Sequence, residues 1–449
     1  MKKQLLKLLT MAIVVVSLKV QAQNWSDLGV NGFSQGDVFE TKIAIDNNNI
    51  PYVVVKDLFN LGKASVFKYN GTSWVSVGAT NGITSYAVEG IDIAIDSNNV
   101  VYVVAQADGT DDVYVMKFDG TNWVNVGTTG IVSNNGTYVF LRIDNNDVPY
   151  VLFEDGDNGY DPSVIKYDGS LWVNVGQAGF VDTSGSMSFD IDNSGTPYVS
   201  YRGDFANGYK ANVMKFDGTS WGLVGSAGFS GKLSSRNDVA VDDNGDVYVA
   251  LADEDNFDLV QVKKFNGSSW STLGAAALSN HQGVNPEIKI YNNVPYLFYW
   301  ESVTYGFNVK RFNGTTWDFV GSASFSGGGF NNFTIGGNGM LYLSSRNLSG
   351  SNAARVQVND FILGISDNTY GEGFSLYPNP SLGSSKIKLG KNYADTKIQI
   401  FDVFGKKVDT FNIQNTNEIT LDTSNYANGM YVVQVQSEQN KATVKLLVK

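Results

Sequence analysis

Carboxylates are the side chains numerous and clustered enough in this sequence to suggest chemistry. Three groups stand close together in the chain: Asp108, Asp111 and Asp112; Glu154, Asp155, Asp157 and Asp161; and Asp253, Glu254 and Asp255. Loops so rich in oxygen can hold Ca2+, which takes about six to eight oxygen ligands. The competing reading is a solvated acidic rim. Asp190-Ile191-Asp192-Asn193-Ser194-Gly195 begins like a calcium loop, but it lacks the downstream Glu and reads as a hairpin turn. Other chemistries find less support. The one histidine, His281, and the absence of cysteine exclude His/Cys zinc clusters and leave a Ser-His-Asp triad barely arguable. Glycoside hydrolysis needs two carboxyl groups about 5–10 Å apart, and the acids are too many for the sequence to select a pair. Arg202-Gly203-Asp204 spells an integrin-recognition tripeptide, a string short enough to arise by chance. No Gly-rich phosphate cradle occurs, and no residue can be named as catalytic or ligand-binding.

The elements that must carry these loops are set by a repeat. Lys117-Phe118-Asp119-Gly120-Thr121-Asn122-Trp123 recurs along the chain, and its tryptophan returns as Trp25, Trp74, Trp123, Trp172, Trp221, Trp270 and Trp317. Five of the six intervals are 49 residues and the last is 47. A glycine follows each tryptophan four residues later, from Gly29 to Gly321. A tyrosine marks each unit at Tyr52, Tyr102, Tyr150, Tyr198, Tyr248, Tyr296 and Tyr342. Within residues 90–127, Asp92 to Ile95, Val100 to Ala105, Val113 to Phe118 and Trp123 to Val126 read as four strands. Asp119-Gly120 between the last two reads as a two-residue hairpin turn, since both residue types tolerate positive φ. The unit is a four-stranded antiparallel meander that cannot bury its faces alone. The fold class is therefore all-β: a seven-bladed β-propeller of about 49-residue repeats, followed by a small C-terminal β-sandwich.

Tryptophans and tyrosines are out of phase. Trp25 precedes every tyrosine strand, while the last unit, with Tyr342, lacks its own Trp hairpin. The expected closure makes Asn24 to Leu28 the fourth strand of the last blade, which removes two exposed edges. The competing closure uses Phe361 to Gly364. A fixed aromatic in each blade is expected to pack between sheets; a ring of sugar-stacking sites is the alternative.

The ends and the charge bound where the protein works. Lys2, Lys3 and Lys7, the apolar run Leu8 to Val16 and Val20-Gln21-Ala22 read as a signal peptide of residues 1–22, too short to span a bilayer. The domain reading is signal peptide 1–22, propeller 23–363, linker 364–373 and tail 374–449. No transmembrane segment remains after cleavage. Net charge is −12 overall, but residues 23–367 hold 19 basic and 37 acidic groups, a net of −18. Such a surface repels phosphate backbones and excludes nucleic acid as a partner, leaving cations, neutral glycans and proteins.

From Tyr370 a different text begins. Tyr377-Pro378-Asn379-Pro380, Asp402-Val403-Phe404-Gly405-Lys406, Asn428-Gly429-Met430-Tyr431 and the basic end Lys445 to Lys449 follow one another over about 75 residues. By alternation these are strands of a small antiparallel sandwich. Together they resemble the type A C-terminal sorting domain of the type IX secretion system of Bacteroidetes. The resemblance implies passage through the periplasm and outer membrane, the secretion machinery as partner, and cleavage of the tail near Gly364 to Gly373. It also implies a secreted or cell-surface product.

Loop lengths decide between binding and catalysis. Spacing from Trp to Tyr runs only from 25 to 28 residues, and from Tyr to the next Trp only from 21 to 23. No insertion builds a lid or a deep cleft. The favoured expectation is a binding propeller, an adhesin or a carbohydrate- or protein-binding module, with Ca2+ as the one cofactor the loops suggest. The alternatives are an extracellular polysaccharide-acting enzyme using carboxylates at the propeller mouth, and a structural surface protein.

Overall fold

A computed structural model of the chain describes residues 25–127, 130–132, 136–183, 185–348, 352–359, 374–379, 381–402, 407–427, 429–438 and 440–448. The signal segment and the linker expected from sequence lie outside the described residues.

Each repeat folds as an antiparallel sheet whose strands pair in chain order. Blade 1 consists of Val38–Ile45, Pro51–Asp57, Lys63–Tyr69 and Trp74–Ser76. Blades 2 to 6 repeat this plan from first strands Val88–Ile95, Gly136–Ile143, Ser188–Ile191, Ser234–Val241 and Gly283–Tyr291. Blade 7 starts at Gly329–Ile335. The seven first strands touch one another in a closed circuit and line a central channel. Second strands are buried on both faces, with Val53, Val54 and Val55 inaccessible, because each blade is covered by a neighbour on either side. Each such valine contributes roughly 1.5–3 kcal/mol of burial.

Blade 7 takes its fourth strand from the N-terminal end. Ser26–Asp27 pairs antiparallel with Ala354–Asn359 in the register Ser26↔Val358 and Asp27↔Gln357. Arg355 Nε donates to Asp27 Oδ1 at 2.5 Å, and Trp25 stacks on Phe325 with centroids 4.6 Å apart. The out-of-phase tryptophan of the sequence is thus the ring closure.

Three details differ from the sequence reading, the first being that the opening strand of blade 2 starts earlier, at Val88. The turn at Asp119-Gly120 is a four-residue connection, closed by Asp119 N–H donating to Asn122 O at 3.0 Å. Only the glycine takes positive φ, +99°. The aspartate instead caps the turn, accepting from Thr121 N–H at 2.8 Å and Asn122 N–H at 2.7 Å. The second strand of blade 2 also runs further, Val101–Ala107, because Gln106 is buried and satisfied by Asp111 Oδ1 at 2.9 Å.

The tail forms one five-stranded sheet. Its 19-residue strand Ser384–Asp402 carries Phe374–Tyr377 beside its first half and Gly429–Ser437 beside its second, with Lys407–Asp422 along the other edge. Ile387 and Leu389 share one core with Ile398, Ile400 and Val433, so the sheet closes on itself as a sandwich does. Among the described residues, no helix is long and apolar enough to cross a membrane.

Candidate functional site: the loop face and channel mouth

The repeated tryptophans are consumed by packing. Each indole N–H donates to a carbonyl of the preceding blade: Trp74 to Leu28, Trp123 to Val77, Trp172 to Val126, Trp221 to Val175, Trp270 to Val224 and Trp317 to Leu273, all at 2.7–2.8 Å. Trp25 closes the series on Val320 O at 3.1 Å. From Gly29 to Gly274, the glycine four residues after the tryptophan is the seat for the next indole. At Gly225, φ is +74° and an added Cβ would lie 2.7 Å from Phe265 and 2.8 Å from Trp270 Nε1. The other ring face is covered from the inter-blade connection, with Phe180 stacked on Trp221 at 4.1 Å and Phe229 on Trp270 at 3.8 Å. These rings pack across the blade junctions.

The acids nominated for calcium are spread over three blades, 2, 3 and 5, and mostly engaged locally. Asp155 is buried and accepts from Asp157 N–H at 3.1 Å, Asn158 Nδ2 at 2.9 Å and Ser163 Oγ at 2.7 Å. Asp111 is held by Gln106, and Asp112 accepts from Tyr114 OH at 3.2 Å. Glu154 accepts from Thr137 Oγ1 at 3.2 Å, and burial pushes its carboxyl up. Asp108 and Asp157 are exposed on separate loops. The structure does not bring Asp108, Asp111 and Asp112 together with Glu154, Asp155 and Asp157. Among the described residues no group of three or more acidic or histidine side chains is placed to hold a metal. Asp192 accepts from Ser194 N–H and Thr196 N–H at 2.9 Å, the expected plain hairpin. His281 is exposed, and Arg202-Gly203-Asp204 is folded back, with Asp204 Oδ1 accepting from Asn207 N–H at 2.9 Å.

The channel is a cavity of about 1240 Å³ lined mainly by first strands, with Glu154, Tyr160 and Arg202 at its mouth, and its walls are charged. A first strand has a free edge facing the channel, and side chains of the neighbouring blade satisfy its N–H groups. Asp92 accepts from Leu141 N–H at 3.0 Å and from Arg142 Nη1 at 3.0 Å. Asp238 accepts from Ile288 N–H at 2.8 Å, from Lys289 Nζ at 3.3 Å and from Ser188 Oγ. Asp190 takes Val241 N–H at 2.9 Å, and Asn332 Oδ1 takes Ile43 N–H at 3.0 Å. Glu287 takes Phe333 N–H at 3.0 Å and Asn332 Nδ2 at 2.9 Å. Burial pushes Glu287 up to about 7, against the pull of Lys289 and Lys42. Burial does the same to Glu40, which lies 3.8 Å from Lys42. These are struts between blades, and burial raises the carboxyls of Glu40 and Glu287 toward neutral pH.

The channel mouth on the loop face is shaped by bulges. In six first strands the register slips near the start, at Val38/Thr41, Val88/Gly90, Thr137/Phe140, Ser234/Arg236, Val284/Glu287 and Gly329/Asn332. A bulge re-aims a side chain and ends pairing locally. Here it turns Tyr138 and Phe39 outward, and places Phe330 against Phe39 with centroids 4.3 Å apart. Tyr138 and Phe330 have φ of +49° and +51°.

Beyond the mouth, the second-to-third loops end in a left-handed turn. Tyr160 N–H donates to Asp155 O and Gly62 N–H to Asp57 O, both at 2.8 Å, and Tyr209 N–H to Asp204 O at 3.0 Å. That geometry asks for glycine or asparagine. Gly159 and Gly208 supply it in blades 3 and 4, with φ of +76° and +64°. Blades 1 and 5 instead place Leu61 at +61° and Phe257 at +54°, with 82% and 85% of each side chain's residue surface exposed. Tyr160 at +65° and Tyr305 at +53° are also bulky, left-handed and exposed. Each such residue costs about 1–2 kcal/mol of backbone energy, and no core burial offsets it. Sequence reading missed this set by sorting the loops on their acids. The signal was the asparagine preceding the turn, at Asn60, Asn158, Asn207 and Asn256, followed by glycine in two loops and by Leu or Phe in the other two.

Residues 375–449 match the family model for a secretion system C-terminal sorting domain. The tail therefore marks the protein for export by the type IX machinery, to the cell surface or as a secreted product. No curated protein matches the chain in sequence. Among solved structures, the extracellular domain of a proposed hybrid two component system from B. thetaiotaomicron is 11% identical, with a TM-score of 0.47. That match covers 95% of this chain and 57% of the other, so this chain spans little over half of its length. An Aleuria aurantia lectin is 14% identical over 65% of this chain and 100% of its own, with a TM-score of 0.43. An ulvan lyase of the polysaccharide lyases is 10% identical over 74% of this chain and 95% of its own, with a TM-score of 0.44. All three scores lie below 0.5, and the propeller assignment rests on the seven sheets themselves.

Proposed function

We propose that this exported protein is a binding propeller, an adhesin or a carbohydrate- or protein-binding module, which takes its ligand on the face of the second-to-third loops. One observation carries the reading. Large apolar side chains on that face are held exposed in left-handed backbone, whereas the tryptophans of the repeat are spent on packing. Backbone held in a sparsely populated region points to a task other than stability. The loops around them are short and uniform, which favours a docking surface over an enclosed reaction site.

A second reading has one observation of its own. Glu40 lines the channel and holds its proton to about pH 7, the state a general acid needs. That would make the protein a polysaccharide-cleaving enzyme. A glycan array on the processed protein, run with and without Ca2+ and followed by analysis for released oligosaccharide, separates the two. The binding reading expects retention with no product, and the same retention after Glu40→Gln. Product that disappears in Glu40→Gln establishes the enzyme. Calcium-dependent retention would return the acidic loops to consideration.

A further inference from the structure

The exposed side chains form an arc. Taking one per blade in order, blades 3, 4, 5 and 6 present Tyr160, Phe205, Phe257 and Tyr305, exposed by 55–85%. Phe205 leans edge-on against Tyr209, itself left-handed at +54°, with centroids 6.1 Å apart. Blade 2 interrupts the series with Gly109-Thr110-Asp111. Blade 1 exposes Phe59 and Leu61 in the same loop, and the unbroken run of aromatic posts is the one on blades 3 to 6.

The loops of blades 3 to 5 carry carboxylates beside these posts in the chain: Asp157, Asp204, Glu254 and Asp258. Aromatic rings set apart by acceptors do not make the continuous apolar core that a protein partner would bury. They do match a sugar chain. A pyranose offers an apolar face of C–H groups to an aromatic ring and hydroxyl donors to flanking carboxylates. The net charge of −18 over residues 23–367 repels uronate and sulfate, so the chain selected is uncharged.

Resting on the binding reading above, we propose that the ligand is a neutral, linear polysaccharide lying along the arc of blades 3 to 6, from Tyr160 at the channel mouth outward over the loop face. Each post contributes a weak stacking contact, and several sugars of one chain engage several posts at once. Affinity is then built by linkage, which can multiply a single contact by about 10²–10⁴.

The test is affinity electrophoresis of the processed protein through gels containing hydroxyethyl cellulose, galactomannan or alginate. Liposomes of neutral lipid form a separate arm. Retardation is expected in a neutral gel and not in alginate. Phe257→Gly alone should weaken retention about 3- to 10-fold. Tyr160→Gly, Phe205→Ser, Phe257→Gly and Tyr305→Gly combined should weaken it at least about 100-fold. Glycine suits the left-handed sites, so melting temperature should hold or rise in Phe257→Gly and Tyr305→Gly. A loss of binding that merely followed unfolding would show as a lowered melting temperature. A second measurement needs no variant: a disaccharide from the retained polymer should compete at least about 10-fold less well, per sugar, than the polymer. If the quadruple variant is retarded like the parent, the protein binds glycan elsewhere; the arc is wrong and the binding reading stands. Retardation by alginate alone, or adsorption to liposomes that the quadruple variant loses, also overturns the arc's assignment. Absence of retention by every polymer and liposome overturns the polysaccharide proposal.

Discussion

Two rings tie the seven blades together, and they are built from opposite chemistry. The outer one is the belt of tryptophans, repeated with the same partner type at each junction: an indole N–H on a carbonyl, and a ring over a glycine. The inner one lines the channel and does not repeat. At one structural position, four residues before the first turn, it carries Lys42, Asp92, Phe140, Ser188, Asp238, Glu287 and Asn332. Both rings satisfy otherwise unpaired backbone groups across a blade junction. The outer one does so with neutral side chains sheltered by aromatic stacking, the inner one chiefly with ionisable ones in a wet cavity. Regular packing can be copied from blade to blade. A channel wall cannot be all acid or all base without repelling itself, and here Lys42, Arg142 and Lys289 stand among the acids.

The sharpest way to break this comparison is to open the outer belt at its seam. Deletion of residues 23–29 removes Trp25 with its bond to Val320 O, the pairing to Ala354–Asn359 and the partner of Arg355. Loss of one buried tryptophan costs about 3–5 kcal/mol, and a freed edge strand invites association. Thermal melting should fall well below that of the parent, and size-exclusion chromatography should show oligomers. Unchanged melting and a monodisperse peak would mean that the ring does not depend on its closure.

A smaller change asks whether the belt's glycines matter for their backbone or for their missing side chain. Gly225 and Gly159 have nearly the same φ, +74° and +76°. Only Gly225 has an indole where a Cβ would go; Gly159 has nothing within 4 Å. Gly159→Ala should cost about 1 kcal/mol from backbone strain alone. Gly225→Ala should cost roughly 3 kcal/mol, because Trp270 and Phe265 must move. Equal losses in denaturant melts would assign the whole effect to φ and remove the steric seat.

The same contrast explains what could be read from sequence. The outer ring was legible because hairpin chemistry and aromatic packing demand fixed residue types: Asp or Asn, then Gly, Trp, and Gly again. Even the closure could be inferred, since Trp25 sits one strand out of phase with Tyr52. The inner ring was opaque because an edge N–H accepts any short acceptor; Asp92, Ser188, Glu287 and Asn332 do one job with four residue types. The exposed arc was hidden for a third reason. Both residues of the pair are left-handed in each loop, but the glycine stands second in Leu61-Gly62 and first in Gly159-Tyr160, so alignment by residue type misses it. Acids in the same loops drew attention instead, and most of them, such as Asp155, cap their own turns.

The finest test concerns how the two rings respond to pH. Glu287 is pushed up from 4.5 to about 7 by burial, and Glu40 likewise. Lys289, Lys42 and Asp238 face Glu287. The folded protein therefore keeps protons that the unfolded chain has released. The stability these two groups contribute is full below about pH 4.5 and is lost as pH rises through about 7. Lys289 and Lys42 limit the loss and water reaches the cavity, so Glu287's share is on the order of 1 kcal/mol. Glu287→Gln keeps an acceptor for Phe333 N–H and removes the titration. It should flatten the decline in part, leaving the share of Glu40, and the double change with Glu40→Gln should flatten most of it. Trp221→Phe, which loses an indole bond between neutral groups, should lower stability by a similar amount at pH 5 and pH 8. Parallel melting curves for Glu287→Gln and Trp221→Phe across that range would show that the inner ring is as indifferent to protons as the outer one.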